Sequence, residues 1–487
     1  MSFVIAGVHT PDLEEELKYK GLYFINYKDG FGRFVLHSKS NDADNHYLPQ
    51  TENPPEPDVT LVASIYNNDD NNNNNNNDCV NTGQGELKLK TPLSVASLTP
   101  ELWVASSRDG VHMVWPLKSS QQFVLRYNSF GDTIPNNEGY FSVISLEDKI
   151  KHLIQNADNG GSLPDGFKKS DLEDSLEDAD NGGLHRFLNS TDTLSVLTAL
   201  SGQDVILTLF LELYRDVPGR VVKEYRLDPS AILHLRVEPN KCICNIWPIK
   251  ANFTSPPKIY PGTIYSKNKL IAVSYKNTVF LRSFQRDEND LISLSNLDSV
   301  LPPYTFSSFD NSSSYVITDF DFSDDYTAAV LENYKDGKYV VGIIAKDGSD
   351  VILTKKDIYR TPRSIKLYRH DSKLYCLIGC IEGDLFVMEC NHNRSKRTIK
   401  TNVISRNCFM TKHDLYYDNY DEDPQKYAIK KIAIENNDHN VLFSVGKDLF
   451  KVDFNFLRSN KLNFYDPNII YTNLSRVELP HRIVAFH

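Results

Sequence analysis

The segment Leu102–Leu117, LWVASSRDGVHMVWPL, constrains the fold more than any other part of the sequence. Its two apolar halves have the alternation of half-buried strands, and the polar turn between them ends in Asp109-Gly110. An Asp-Gly pair suits a tight hairpin turn, because glycine adopts a positive φ at no steric cost. The segment therefore predicts two antiparallel strands joined by a short turn.

The same strand–turn–strand pattern recurs along the chain, most regularly from residue 315 onward. Turns of the same kind are expected at 336–337, 347–348 and 382–383. One or two segments at most predict helices, and the segment 146–155 has helical spacing, with apolar residues at 146, 150, 153 and 154. Short strands with brief polar turns predict a sandwich, a barrel or a propeller.

The spacing of one motif favours the propeller. MVWPLK at 113–118 recurs as NIWPIK at 245–250, and the offset from Trp115 to Trp247 is 132 residues, three units of 44. WD-type propeller blades repeat at about 40–45 residues. We therefore interpret the two motifs as corresponding parts of different blades.

The segment also resembles the WD-repeat β-propeller family, in a divergent form. Ser106–Gly110 matches the small-residue, Asp-Gly turn of that family, and Trp115 stands where its motif has Trp. Pro116 and Pro248 replace the Asp that usually follows, and the Gly-His pair that opens a family blade is absent. The resemblance implies an all-β, seven-bladed β-propeller, with six to eight blades possible. It also implies that apolar strand packing replaces the usual Asp–His network.

We expect residues 1–487 to form a single propeller domain with two insertions. Residues 67–85 contain seven consecutive Asn at 71–77 and predict a disordered segment, while 156–193 form an acidic insertion with the pentapeptide ADNGG twice. Residues 39–57 are polar and Pro-rich and predict a loop. A propeller closes by pairing its ends, so Phe3–Ala6 should pair with a C-terminal blade.

Bulk properties disfavour several functional classes. The net charge of −11 opposes broad binding to nucleic acid or anionic membrane, so no direct DNA binding is expected. No run reaches the ~18 apolar residues of a membrane span, and the N-terminus lacks a signal peptide. The seven scattered cysteines form no C-x-x-C pair and predict reduced thiols in the nucleus or cytoplasm.

The sequence contains no local motif for catalysis. P-loop, G-x-G-x-x-G, H-E-x-x-H and G-x-S-x-G patterns are missing, and the thirteen His are dispersed. We therefore expect no enzyme activity, no catalytic residues, no cofactor and no metal. A propeller hydrolase would need Asp, His or metal ligands converging at the central channel.

Three groups of residues are candidates for regulation or contact. Ser170 and Ser175 lie in acidic contexts that suit casein-type kinases, or belong to an unmodified solvated loop. Tyr416, Tyr417 and Tyr420 are partner-contact candidates, or belong to a loop with partly buried rings. The basic residues of the segment HNRSKRTIK at 392–400 either touch phosphate or form a solvated loop; they are Arg394, Lys396, Arg397 and Lys400.

By analogy with other propellers, we expect a non-enzymatic scaffold or adaptor subunit of a eukaryotic multiprotein complex. Its partners would be other protein subunits, and it would not function alone. The alternative is an enzyme-associated propeller, either a hydrolase or the non-catalytic subunit of an RNA-modifying or ribosome-biogenesis complex.

Overall fold

The structure is a computed structural model of the 487-residue chain. It describes the backbone of all strands given below. It describes the side chains of residues 154–161, 169–170, 173, 258, 270–281, 283, 303–307, 314–323, 325–333, 336–409, 427–435, 439–459, 462–463, 474–479, 483 and 486.

Nearly all of the described secondary structure is β-strand. The first strands are β1 (Phe3–His9), β2 (Gly21–Asn26), β3 (Gly32–Ser38), β4 (Tyr47–Glu52), β5 (Val59–Ser64), β6 (Val80–Asn81), β7 (Pro92–Thr99), β8 (Leu102–Ser107), β9 (Gly110–Val114), β10 (Gln122–Arg126), β11 (Thr191–Ser201), β12 (Asp204–Val217), β13 (Arg220–Val237), β14 (Cys244–Ile249) and β15 (Ser255–Tyr260).

The later strands complete the chain. They are β16 (Lys269–Tyr275), β17 (Thr278–Arg286), β18 (Ile292–Leu294), β19 (Tyr304–Thr305), β20 (Tyr315–Phe322), β21 (Tyr326–Asn333), β22 (Tyr339–Ala345), β23 (Asp350–Leu353), β24 (Pro362–His370), β25 (Lys373–Cys380), β26 (Asp384–Asn393), β27 (Thr398–Cys408), β28 (Ile432–Glu435), β29 (Asn440–Val445), β30 (Asp448–Asp453), β31 (Leu474–Glu478) and β32 (Arg482–Phe486). A short helix, Phe454–Ser459, follows β30, and residues 154–158 are also helical.

The described strands form seven antiparallel sheets. Their orders are β32-β1-β2-β5, β6-β10-β9-β8-β7, β11-β12-β13-β14, β15-β16-β17-β18 with β19 beside β17, β20-β21-β22-β23, β24-β25-β26-β27 and β28-β29-β30-β31-β3-β4. Strands that pair are mostly consecutive in the chain, as expected of hairpins with short turns.

One strand of each sheet contacts the corresponding strand of the next sheet. In order, these strands are β1, β7, β11, β15, β20, β24 and β28. We call these the inner strands. Successive sheets therefore pack side by side around the inner strands, and this all-β arrangement is consistent with a β-propeller.

The two ends of the chain are interlocked. The C-terminal strand β32 pairs with β1, with Ala6 opposite Phe486. In addition, the N-terminal hairpin β3–β4 extends the C-terminal sheet, because β3 pairs with β31. The prediction that the N-terminal strand pairs with a C-terminal one is confirmed, and the pairing covers the edge of β1 that faces away from β2.

Apolar side chains fill the spaces between neighbouring sheets. One cluster joins β16–β17 to β20–β22 and includes Phe320; a second joins β21–β22 to β24–β26 and includes Phe386; a third joins β25–β26 to β29–β30 and includes Phe443. Middle strands such as β21 and β25 are buried along almost their whole length. Their apolar runs are continuous rather than alternating because both faces of the sheet are covered.

Three of the predicted tight turns are confirmed by their backbone angles. Gly337, Gly348 and Gly383 have φ of +65°, +84° and +71°. Glycine populates this left-handed region without the Cβ penalty that other residues meet, so the Asp-Gly and Glu-Gly pairs reverse the chain there at low cost.

Two expectations from the sequence are wrong. The motif at 113–118 overlaps β9, the third strand of its sheet, whereas 245–250 overlaps β14, the fourth strand, so the two are not structurally equivalent. The predicted loop 39–57 contains β4, in which Pro49 lies opposite Leu36. A proline is tolerated there because β4 is the last strand of its sheet and needs no ladder bond on its outer side.

Parts of the predicted insertions fall among the described strands. Within 67–85, Val80–Asn81 forms β6 at the edge of its sheet. Within 156–193, the described residues are 156–161, 169–170, 173 and the start of β11. Most of the predicted helix 146–155, and the seven-Asn run itself, lie outside the described residues.

Candidate functional site

Charged side chains from four neighbouring sheets converge on the inner strands. Lys258 is on β15, Asp319 and Asp321 are on β20, Lys366 is on β24, and Lys431 immediately precedes β28. Four of the five residues lie on the inner strands β15, β20 and β24, and Lys431 lies next to the inner strand β28. We call these five residues the inner-strand cluster.

The two carboxylates bind the open edge of the next sheet. Asp319 Oδ2 accepts from the backbone N–H of Ile365 at 2.9 Å, and Asp321 Oδ2 accepts from that of Leu367 at 2.8 Å. The inner strand β24 is at the edge of its sheet and has a neighbour on one side only, so alternate N–H groups need a partner from outside the ladder. The spacing of two residues on each strand lets the two bonds form in register.

Each carboxylate also binds a lysine. Lys258 Nζ donates to Asp319 Oδ1 at 2.8 Å, and Lys366 Nζ donates to Asp321 Oδ1 at 3.2 Å. Three successive sheets are thereby joined through two carboxylates. The side chains of the lysines are about one-third exposed, at 35% and 33%, so water reaches the cluster and screens these pairs.

Lys431 differs from the other two lysines in its partners. Its ammonium donates to the backbone carbonyl of Phe486 at 2.8 Å and lies 5.5 Å from the centre of the Phe486 ring. Among the described residues it forms no ion pair with a carboxylate. This contact also joins the residue before β28 to the end of β32 and so closes the contacts between the inner strands.

The Lys431 side chain is exposed to water, and its ammonium packs against Phe486. The protein surroundings, and next the positive charges of Lys258 and Lys366, lower the pKa of Lys431 to about 8. Neutral and charged amine are then both present near physiological pH.

A second set of charges stabilises individual sheets. Asp384, fully buried at the start of β26, accepts from Arg406 Nε at 2.8 Å and lies 2.7 Å from Arg360 Nε as an ion pair. The Arg406 guanidinium lies 4.9 Å from the centre of the Tyr359 ring. Such a buried carboxylate between two guanidinium groups orders its sheet and has no access to a substrate.

The next sheet repeats this arrangement. Asp448 starts β30 and accepts from Arg476 Nε at 2.7 Å, with Arg476 opposite Phe450 just as Arg406 is opposite Phe386. Both Asp residues open an Asp-Leu-Phe sequence after a glycine turn. The repeated Asp-Leu-Phe sequence was the signal from which these Asp–Arg pairs could have been predicted. This signal was missed, because apolar packing was expected in place of polar contacts.

The residues singled out from the sequence lie elsewhere. Ser170 is exposed in a helical position, beside Lys169, which forms ion pairs with Asp158 and Glu173. Ser175, Tyr416, Tyr417 and Tyr420 lie outside the described residues. The proposed roles of all five residues stay predictions.

The basic residues at 394–400 form an exposed turn and the strand after it. Arg394 is 75% exposed and lies 3.5 Å from Asp325 of the preceding sheet, while Lys396, Arg397 and Lys400 are exposed to solvent. Arg369 reaches the same Asp325 at 3.6 Å. The turn therefore extends a local basic surface on a chain that is acidic overall.

The described part of the chain contains no assembled metal site and no reactive thiol site. No group of three or more His, Cys, Asp or Glu there is placed to hold a metal ion. Cys376, Cys380, Cys390 and Cys408 are free and buried. Burial raises the pKa of the Cys390 thiol to about 12, so this thiol is protonated and unreactive.

Comparison with known proteins gives only distant structural similarity. No protein family model and no curated protein matches the chain. A protein of known structure from Lactobacillus plantarum is similar over 100% of this chain and 98% of its own, with 9% identity and a TM-score of 0.43. Drosophila Semaphorin 2a is similar over 56% of this chain and 45% of its own, with 8% identity and a TM-score of 0.20. At these values neither similarity identifies a family.

The class of protein therefore follows from the strand topology itself: an all-β protein of antiparallel sheets arranged consistently with a propeller. Among the described residues no helix has the length and apolar character needed to cross a bilayer.

Proposed function

We propose that the protein is a divergent, WD-repeat-like, seven-bladed β-propeller that acts as a non-enzymatic scaffold or adaptor in a eukaryotic multiprotein complex. Each of the seven sheets would be one blade. Its partners are other protein subunits, and the nucleus or cytoplasm is its site of action.

The observation that carries this proposal is the use of the inner carboxylates. Asp319 and Asp321 each accept one backbone N–H from β24 and one lysine ammonium. Their oxygens are thus engaged in joining sheets, which makes the frame rigid. A rigid frame that presents exposed turns suits a protein that holds several partners.

The basic turn at 394–397 is the described surface best suited to one partner, of acidic character. Arg394 and Arg397 are exposed, and Arg394 forms only a weak surface ion pair with Asp325, at 3.5 Å. Tyr416, Tyr417 and Tyr420 are proposed as a second contact. Phosphorylation at Ser170 and Ser175 would add negative charge for a third, and mass spectrometry of both serines tests it.

The test is purification of the tagged full chain at its native expression level. We expect stoichiometric partner subunits and elution well above the 55.5 kDa of the monomer. The double variant R394E/R397E should lose an acidic partner, whereas K355E/K356E, on another exposed turn, should retain it. Elution as a monomer without partners would refute the scaffold proposal.

The alternative, an enzyme-associated propeller, is favoured by one observation. Asp319, Asp321 and the water-accessible Lys431 converge on the inner strands, where a propeller hydrolase would place its groups. A hydrolase would lose activity in D319N with its fold retained. In a scaffold, the same change weakens the contact between β20 and β24 and lowers stability.

A further inference from the structure

The inner-strand cluster has one more cation than anion among its described members. Lys258, Lys366 and Lys431 supply three ammonium groups, and Asp319 and Asp321 supply two carboxylates. The carboxylates neutralise the first two lysines. The ammonium left over is that of Lys431, whose described acceptor is a neutral backbone carbonyl.

Three hydrogen bonds connect the segments of the chain that carry the three lysines. Asp319 links β15 to β24 by binding both Lys258 and the N–H of Ile365. On the other side of β24, Ser364 Oγ donates to the backbone carbonyl of Ile429. Lys366 comes two residues after Ser364, and Lys431 comes two residues after Ile429. Lys366 on β24 and Lys431 just before β28 thus occupy matching positions in neighbouring segments. The positive charges of Lys258 and Lys366 also lower the pKa of Lys431, in agreement with this arrangement.

The lysines retain capacity for an additional acceptor. An ammonium has three donors, and the described contacts of Lys431 use one of them, on Phe486. Lys258 and Lys366 each use a donor on one carboxylate. All three side chains are at least partly accessible to water, so an anion reaching them displaces water rather than core atoms.

We propose that the inner-strand cluster is a binding site for a small tetrahedral oxyanion of the phosphate class, held chiefly by Lys431 and supported by Lys366 and Lys258. Phosphate suits point-like ammonium donors. The anion neutralises the unmatched positive charge and links the sheets of β15, β24 and β28. The proposal holds whether the protein is a scaffold or an enzyme, because it concerns binding alone.

The experiment is titration of the purified full chain with inorganic phosphate and, separately, sulfate at pH 7, with ionic strength held constant by chloride. Calorimetry should show saturable binding of both anions, and the thermal midpoint should rise with anion concentration. The variant K431M should bind at least tenfold more weakly, K431R should retain binding, and K396M, in an exposed turn, should behave as the wild type. Equal affinity of K431M and wild type would refute the assignment, as would the absence of saturable binding above the chloride control.

A second measurement covers the case in which K431M does not fold. Sulfate keeps its charge over this pH range, so its affinity for the wild type reports the protonation of the protein. It should fall as pH rises from 7 to 9.5, because Lys431 loses its proton near pH 8. A sulfate affinity that is constant over this range would overturn the assignment to Lys431.

Discussion

Replacing Asp384 by Asn removes a negative charge from a position where the carboxylate is fully buried between two arginines. The side chain keeps its size, so packing against the strand is preserved. What is lost is the negative charge that attracts Arg406 Nε at 2.8 Å and Arg360 Nε at 2.7 Å. Asp384 itself is 0% exposed, so no water compensates at its position.

The magnitude follows from how far each arginine can recover water. Removing one partner of a buried ion pair costs about 3–5 kcal/mol. The side chains of Arg360 and Arg406 are 34% and 29% exposed, so each regains part of its hydration and the loss falls below that range. We expect D384N to lower the free energy of unfolding of this sheet by about 2–3 kcal/mol.

Hydrogen exchange followed by mass spectrometry measures this loss locally. For amides of β26 and β27 that exchange by unfolding of their sheet, the loss corresponds to exchange about 30 to 150 times faster. The control is D336N, because Asp336 pairs with Lys338 on the surface, where the two side chains are 39% and 74% exposed. If D384N accelerates exchange no more than D336N does, burial of the carboxylate does not govern its contribution and the reasoning is wrong.

Four further predictions concern packing, closure, thiols and pH. G379A should lower stability by about 1–3 kcal/mol, measured by chemical unfolding, because the new Cβ would lie 2.5 Å from Ile429 Cγ2; an unchanged midpoint would contradict the close approach. Deleting β32 should expose the edge of β1 and give aggregation in light scattering, whereas a monodisperse product would show that closure is dispensable. Thiol titration of the native chain should detect at most three of the seven cysteines, because four are buried, and detection of all seven only after unfolding is expected. The pKa of Lys431 is about 8 when folded against an ordinary 10.5, so the folded state binds this proton less tightly; wild-type stability relative to K431M should rise as pH increases from 8 towards 10.5, and a constant difference would count against it.

The strands of the second half of the chain were predictable because their signals are local. The sequence from 315 to 354 predicts four strands with turns at Asp336-Gly337 and Asp347-Gly348, and β20–β23 lie there. Hairpins of this kind need only alternation or apolar runs, plus residues that reach a positive φ. Closure between Phe3–Ala6 and the C-terminal strand was also predictable, since an open edge must be covered.

The candidate site was not predictable, because its members are far apart in sequence. Lys258 and Lys431 are separated by more than a third of the chain, and each reads locally as an ordinary lysine beside a strand. Only the packing of inner strands from four sheets brings them to one place. The two Trp-Pro motifs show the converse: similar local sequences were assigned to one blade position, and the sheet orders separate them.

By itself, then, the sequence determines that this chain forms short antiparallel strands and joins its ends, because side-chain alternation, turn geometry and edge pairing act over a few residues or on the chain termini. The tertiary structure decides which strands are innermost, which carboxylates meet which arginines, and which ammonium binds a backbone carbonyl. Those outcomes depend on how sheets pack against each other, since burial and charge pairing are set by neighbours distant in the sequence.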